Sequence, residues 1–408
     1  MKQQTLRARF RSLPTGIAVS SPGRCCTCAA ARASAAWRCK KSRAHSSRMP
    51  TKSTSSFLHH HTEITMSVIK ARLLPRLMLA LAAGLGFNAV SAQTVLTVSS
   101  WVPPSHMLAE SLKEWCGQLD QKSVGKVKCN ILPRAVAAPP GSLDAVRNGL
   151  ADVSFTVHGY TPGRFVTTQM AEMPFLGNSA EATSVALQRV FARTPAMRDE
   201  HKGIKVLSLF THGPGMVFNT KRPITSIDDL SGLKFRIGGG MANEIGTALG
   251  MNVTLKPSTE SYELLSTGVM DGTLFPAESV EAFKIDKIVR YGTTFPGGLY
   301  NTSFVFMMNP AAYDRLPPEG KKAVDEISGE SAARMFGRGW DRVDRRGMAF
   351  MQASGVQFTK ADAAFVKAIG NRTAQLEANW IKAAEAKGLK EPRKVLNALR
   401  SEVAKLEN

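Results

Sequence analysis

Leu143-Asp-Ala-Val-Arg-Asn-Gly-Leu-Ala-Asp-Val-Ser-Phe-Thr-Val157 changes its hydrophobic period in the middle. Leu143, Val146 and Leu150 are spaced as one apolar face of a helix, whereas Asp152–Val157 reads as a strand. Gly149 stands between them, where a residue with positive φ ends a helix at no steric cost. A helix that passes at once into a strand is half of a βαβ unit. The residues upstream supply the other half. Thr94–Ser99 alternates as a strand, and Leu108, Leu112, Trp115 and Leu119 recur at helical spacing. Val127–Leu132 then reads as a second strand, stopped by Pro133. Strands alternating with helices over this length mean an α/β lobe with mostly parallel pairing.

The same device returns 119 residues later, where Thr267-Gly-Val-Met-Asp271 matches Asn148-Gly-Leu-Ala-Asp152. Lys234–Ile237, Met251–Leu255 and Thr273–Phe275 read as strands around it. Ala242–Leu249 reads as a helix, and Tyr262, Leu265 and Val269 as the face of another. An offset of about one α/β domain implies a second lobe of the same plan, with a cleft between the two. From Pro317 onward the chain reads as helical: one long region over Gly320–Arg346, then at least two helices in Thr359–Asn408. Trp340, Phe350 and Trp380 anchor apolar faces there, and the long helix is expected to brace both lobes.

The formal charge of +21 over 408 residues raises the question of a nucleic-acid or membrane partner. Its distribution answers no. Residues 1–92 hold 15 lysines and arginines against one acid, Glu63; the rest of the chain holds 38 against 31. Within that leader, Met66–Arg76 is a positive segment and Leu77–Val90 an apolar run, and Val90-Ser91-Ala92 fits a cleavage site. The apolar run is shorter than the ~20 residues of a membrane-spanning helix, and no cysteine follows it as a lipid anchor. Residues 66–92 are therefore read as a signal peptide, and the mature protein as soluble and periplasmic. Residues 1–65 carry four cysteines and three consecutive histidines, His59, His60 and His61, without hydrophobic period or zinc-ligand spacing. They read as a start assigned too early, and disordered where translated. Cys116 and Cys129 remain in the mature part; one disulfide is the preferred reading over two buried thiols.

Catalytic chemistry is not legible. Only His106, His158, His201 and His212 follow the leader, none at zinc-ligand spacing with another, and no nucleophile elbow or phosphate loop is present. No cofactor, no metal and no enzymatic activity are expected. Polar and aromatic loops instead follow the strands: His158-Gly-Tyr-Thr-Pro-Gly-Arg164, His212-Gly-Pro-Gly-Met216 after Lys205–Phe210, and Phe275-Pro-Ala-Glu278. Ligands of open α/β sheets lie beyond the carboxyl ends of strands. In Ser231-Gly-Leu-Lys-Phe-Arg-Ile-Gly-Gly-Gly240, Leu233, Phe235 and Ile237 share one strand face, and Lys234 and Arg236 the other. The three glycines are read as leaving room for a substrate.

Four segments together carry a family resemblance: Leu143–Asp152, Ala171-Glu-Met-Pro-Phe175, Arg222–Arg236 and Gly268-Val-Met-Asp-Gly272. Over residues 94–360 the chain resembles the solute-binding proteins of tripartite ATP-independent periplasmic (TRAP) transporters, DctP type. The resemblance implies a two-lobed α/β periplasmic binding-protein fold, type II-like, with long C-terminal bracing helices. Residues 93–214 with 302–341 would form lobe I, and 215–301 with 342–408 lobe II and the C-terminal helices. It also implies closure on a small organic acid, Arg236 pairing with its carboxylate, and delivery to the small and large membrane subunits of a TRAP transporter. A monomer is expected, and no nucleic-acid partner.

Two departures narrow the ligand. Many members carry a second arginine where this chain has His212–Met216, and an asparagine where it has Phe275. Their loss argues against dicarboxylates and sialic-acid-like ligands and favours a monocarboxylate with an apolar or aromatic body. The expected contacts are Arg236, Trp101, His158, Tyr160, His212, Phe275 and Glu278. The alternatives are a binding protein that feeds a sensor or another transporter class, and a periplasmic enzyme on a similar scaffold.

Overall fold

The computed structural model describes residues 93–408. The expected signal peptide, its cleavage point and the segment 1–65 lie outside the described residues. The first stretch runs β1 (Thr94–Val98), α1 (Met107–Lys122), β2 (Val127–Ile131), α2 (Ser142–Arg147), β3 (Val153–Val157), α3 (Ala180–Arg193), α4 (Pro195–Glu200) and β4 (Lys205–Thr211). The second runs β5 (Met216–Asn219), β6 (Lys234–Ile237), α5 (Met241–Ala248), β7 (Asn252–Leu255), α6 (Ser261–Ser266), β8 (Gly272–Phe275), α7 (Glu278–Ala282) and β9 (Tyr291–Thr294). The chain ends with β10 (Ser303–Met308), α8 (Pro310–Asp314), α9 (Pro318–Glu326), α10 (Glu330–Ala353), β11 (Gln357–Lys360), α11 (Ala363–Ala386) and α12 (Pro392–Glu407).

The strands form two sheets, ordered β2-β1-β3-β10-β4 and β11-β9-β5-β8-β6-β7. In each sheet one strand runs against its neighbours: β10 in the first and β5 in the second. Both are the first strand after the chain has crossed from the other sheet. A strand that enters from the cleft must run opposite to strands that end there. Three segments make the crossings: 212–215, 295–302 and α10, which packs against α1 and α3 and then α7. The long helix thus braces both lobes. The last helix, α12, packs on α3, and α11 packs on α5.

Composition explains the layers. β3 and β10 lie inside the first sheet, and every residue of each is buried, as their apolar runs require. On α1, Leu108, Leu112, Trp115 and Leu119 all turn into the core. Cys116 and Cys129 form a disulfide that ties α1 to β2.

The repeated motif has a physical role in both lobes. Gly149 and Gly268 take φ of +73° and +72° and stop α2 and α6. Three residues on, each aspartate docks its strand to a neighbour. Asp152 Oδ2 accepts the amide of Thr97 at 2.7 Å, and Asp271 Oδ2 accepts the amide of Lys234 at 3.0 Å. Arg315 pairs with the first carboxylate and Lys221 with the second.

The structure departs from the sequence reading in three places. Leu150 and Val269 lie beyond the glycine stops and are exposed, so they belong to no helix face; Tyr262 is exposed as well. The long region 320–346 breaks between α9 and α10, where Gly329 takes φ of +61°. Strands β5, β9, β10 and β11 carry no alternation or turn signal strong enough to be read beforehand.

Because Asp152 also accepts the Thr97 hydroxyl and pairs with Arg315, Asp152→Ala should destabilise more than Asp271→Ala. Losses of about 1–3 kcal/mol each are expected in urea unfolding; no change for either variant would show the repeat to be ornamental.

Candidate ligand-binding cleft

Strand β6 lies between β8 and β7; Lys234 and Arg236 share one face, but Lys234 at the strand's start is exposed, whereas Arg236, two residues on, is buried facing the space between the lobes. Arg236 is 2% exposed. Its Nε donates to the Lys256 carbonyl at 2.8 Å, and its guanidinium carbon stands 4.7 Å from the Phe275 ring centre. Tyr160 is its side-chain hydrogen-bonding neighbour, and among the described residues no carboxylate forms a salt bridge with it. Burial lowers its pKa from the ordinary value, with Tyr160 and Tyr300 as its nearest partners. A guanidinium keeps its charge even so. This is a buried cation waiting for an anion.

Arg236 opens on a cavity lined by residues of both lobes and of the segments that join them. Trp101, Tyr160 and Phe304 close it from the first lobe, Phe275 and Phe283 from the second. The crossing segments add His212, Tyr300 with Thr302, and Trp340 to the wall. Trp101 is held by its indole N–H, which donates to the Phe155 carbonyl at 3.0 Å. The Tyr160 hydroxyl reaches across the cleft and accepts the Ser258 amide at 3.0 Å. A concave, mainly aromatic space with one charged group is a small-molecule site in form.

Five of the seven expected residues meet on this wall: Arg236, Trp101, Tyr160, His212 and Phe275. His158 and Glu278 do not. The His158 ring is taken up by Ser303 at 2.9 Å and His201 at 3.0 Å, and desolvation lowers its pKa well below the usual value. It supports the wall from behind. The Glu278 carboxyl lies 3.5 Å from His106 Nδ1 and accepts the Ser279 hydroxyl. Burial, and then the charge of Asp344, raise its pKa to about 8.

The glycines after β6 also act otherwise than expected. Gly238 lines the cavity, but Gly239 and Gly240 give room to protein, not ligand. A side chain on Gly239 would strike the Gly159 carbonyl, and one on Gly240 the Glu172 carboxyl. Glu172 in turn accepts the Met241 amide at 2.8 Å, opening α5, and the Ser303 amide at 3.0 Å. Burial raises its pKa to about 7.

His106, Ser279, Phe283, Tyr300 and Trp340 also line the cleft and were missed. His106 follows β1 as the N-cap of α1, so the strand-end rule that found His158 and His212 applies to it equally. Trp340 sits mid-helix, where nothing local separates a cavity residue from a core one.

The family model for bacterial extracellular solute-binding proteins, family 7 (DctP), matches residues 98–382. The chain belongs to the DctP family. Solved DctP-type structures agree in fold. A TRAP periplasmic solute-binding protein from Bordetella bronchiseptica with bound (R)- and (S)-mandelate is 41% identical, with a TM-score of 0.75. The alignment covers 77% of this chain and 99% of that one. A marine-metagenome TRAP protein from an unidentified microbe, in complex with 3-hydroxybenzoate, is 31% identical with a TM-score of 0.74, over 78% and 100% of the chains. One from Rhodoferax ferrireducens with copurified benzoate is 28% identical with a TM-score of 0.73, over 77% and 98%. The family and these neighbours are binding proteins.

Two outcomes test the cleft geometry. A Cβ on Gly159 would lie 2.7–2.9 Å from the backbone of Gly238–Gly240, so Gly159→Ala should fold yet resist closure. Calorimetry should find its affinity for small organic acids weaker by about tenfold or more; equal affinity would show that this contact does not limit closure. Glu278 holds a proton in the folded state up to about pH 8, against 4.5 ordinarily. Rising pH therefore costs the wild type stability across that window, and costs Glu278→Gln none at this site. The stability advantage of Glu278→Gln should grow from pH 5 to 8, as read from melting curves; a constant difference would refute a neutral Glu278.

Proposed function

We propose that this protein is the periplasmic solute receptor of a TRAP transporter and captures a small monocarboxylate with an aromatic or apolar body. The observation that carries this is the Arg236 guanidinium, buried and without a protein counter-ion among the described residues, at the edge of an aromatic cavity. A buried charge left unpaired is costly, and a carboxylate offers the two parallel acceptors a guanidinium matches. The other titratable groups on the wall favour one negative charge over two. Burial lowers the pKa of His106 to about 3 and of His212 to about 4, and raises that of Tyr300. None supplies a second cation at neutral pH.

Trp101, Tyr160, Phe275, Phe283 and Trp340 then hold the ligand body. The mandelate, 3-hydroxybenzoate and benzoate in the related structures fit this description. Because Arg236 stands on the second lobe and Trp101 and Tyr160 on the first, an occupied cleft favours the closed form. In this reading the protein is exported to the periplasm, acts there as a monomer and, closed on its acid, delivers it to a small and a large membrane subunit. No helix among the described residues is long and apolar enough to cross a membrane.

Calorimetry with benzoate, mandelate and succinate tests the assignment. Arg236→Ala should weaken aromatic-acid binding by roughly tenfold to a hundredfold, the worth of a charged hydrogen-bonded pair. Arg236→Lys should not restore it, since an ammonium lacks the fork. Unchanged affinity in Arg236→Ala, or a wild-type preference for succinate, would overturn the reading.

A further inference from the structure

Three side chains that line the cleft besides Arg236 carry polar ring nitrogens: His106, His212 and Trp340. His106 Nδ1 accepts the Leu108 amide at 3.2 Å, so in the neutral ring the proton is on Nε2, which is a donor. His212 is the reverse case. Its Nδ1 lies 2.5 Å from the Gly213 carbonyl, which only an N–H can satisfy, so its Nε2 carries a lone pair and is an acceptor. Among the described residues no protein group bonds to either Nε2. Between the two rings stands Trp340, its centre 5.5 Å from that of His106 and 5.9 Å from that of His212. Trp340 is 2% exposed, and its indole N–H is buried with no partner among the described residues. All three side chains line the cavity.

Two donors and one acceptor, all neutral, match a hydroxyl, which gives one hydrogen bond and takes others. A second carboxylate would meet the His212 lone pair with no cation to balance it, and an ammonium would meet two donors. We infer that His106, His212 and Trp340 form a hydroxyl-reading subsite, so that the preferred ligand is a hydroxylated aromatic monocarboxylate with its carboxylate on Arg236. This rests on the carboxylate reading of Arg236 above. It also gives the ligand a place in closure: the carboxylate engages the second lobe, while the hydroxyl engages the first lobe at His106 and the crossing segments at His212 and Trp340.

Matched pairs of acids separate the two claims. Mandelate would be compared with phenylacetate, and 3- and 4-hydroxybenzoate with benzoate, by calorimetry on the full mature protein stripped of copurified ligand. At least one hydroxylated acid should bind about tenfold more tightly than its partner without the hydroxyl, the worth of a buried hydrogen bond and the penalty for leaving its partners unpaired. That ratio should fall toward one in Trp340→Phe and in His212→Phe, each of which keeps a ring in place. Equal wild-type affinities within every pair would overturn the subsite while leaving the Arg236 assignment standing. So would a ratio that persists undiminished in both variants. No binding of any of the five acids would overturn both.

Discussion

Everything in this molecule is arranged around a guanidinium that the protein itself does not neutralise. Arg236 sits near the end of β6, screened from water by Phe275, with its Nε donating to the Lys256 carbonyl. A stable fold carries such a group only where function requires it, because desolvating a charge without a partner is unfavourable. The two lobes, their crossings and the aromatic wall serve to make that position dry and accessible in turn.

In the proposed function, the crossings couple the site to closure. All three segments joining the sheets contribute to the wall: His212 from the first, Tyr300 and Thr302 from the second, and Trp340 from the third. A ligand touching these groups touches the parts of the backbone that rearrange when the lobes move. Beside the cavity, the lobes meet at groups that tolerate no enlargement: Gly159 against Gly238–Gly240, and the Glu172 carboxyl on the first amide of α5. Ligand and protein contacts therefore favour the same closed state.

Much of the plan was visible in the sequence because it is written locally. A glycine stop followed three residues later by an aspartate marks the helix-to-strand junction of each lobe, and the structure uses both aspartates alike. Trp101, Tyr160, His212 and Phe275 were reachable because polar and aromatic loops gather at strand ends, and Arg236 through the family resemblance. What was not legible depends on packing across long separations. His158 obeys the strand-end rule, yet its ring is occupied by Ser303 and His201, residues 145 and 43 positions away. Glu278 turns behind the wall toward His106. Gly239 and Gly240 make room for the opposite lobe, and Trp340 looks like any apolar helix residue until α10 is laid across both lobes.

A crystal structure of the protein with its tightest-binding aromatic acid tests the central claim most directly. The account predicts a single carboxylate paired with the terminal nitrogens of Arg236, the ring packed among Trp101, Phe275 and Trp340, and closed lobes. An acid bound in the closed cleft with its carboxylate away from Arg236 would contradict it.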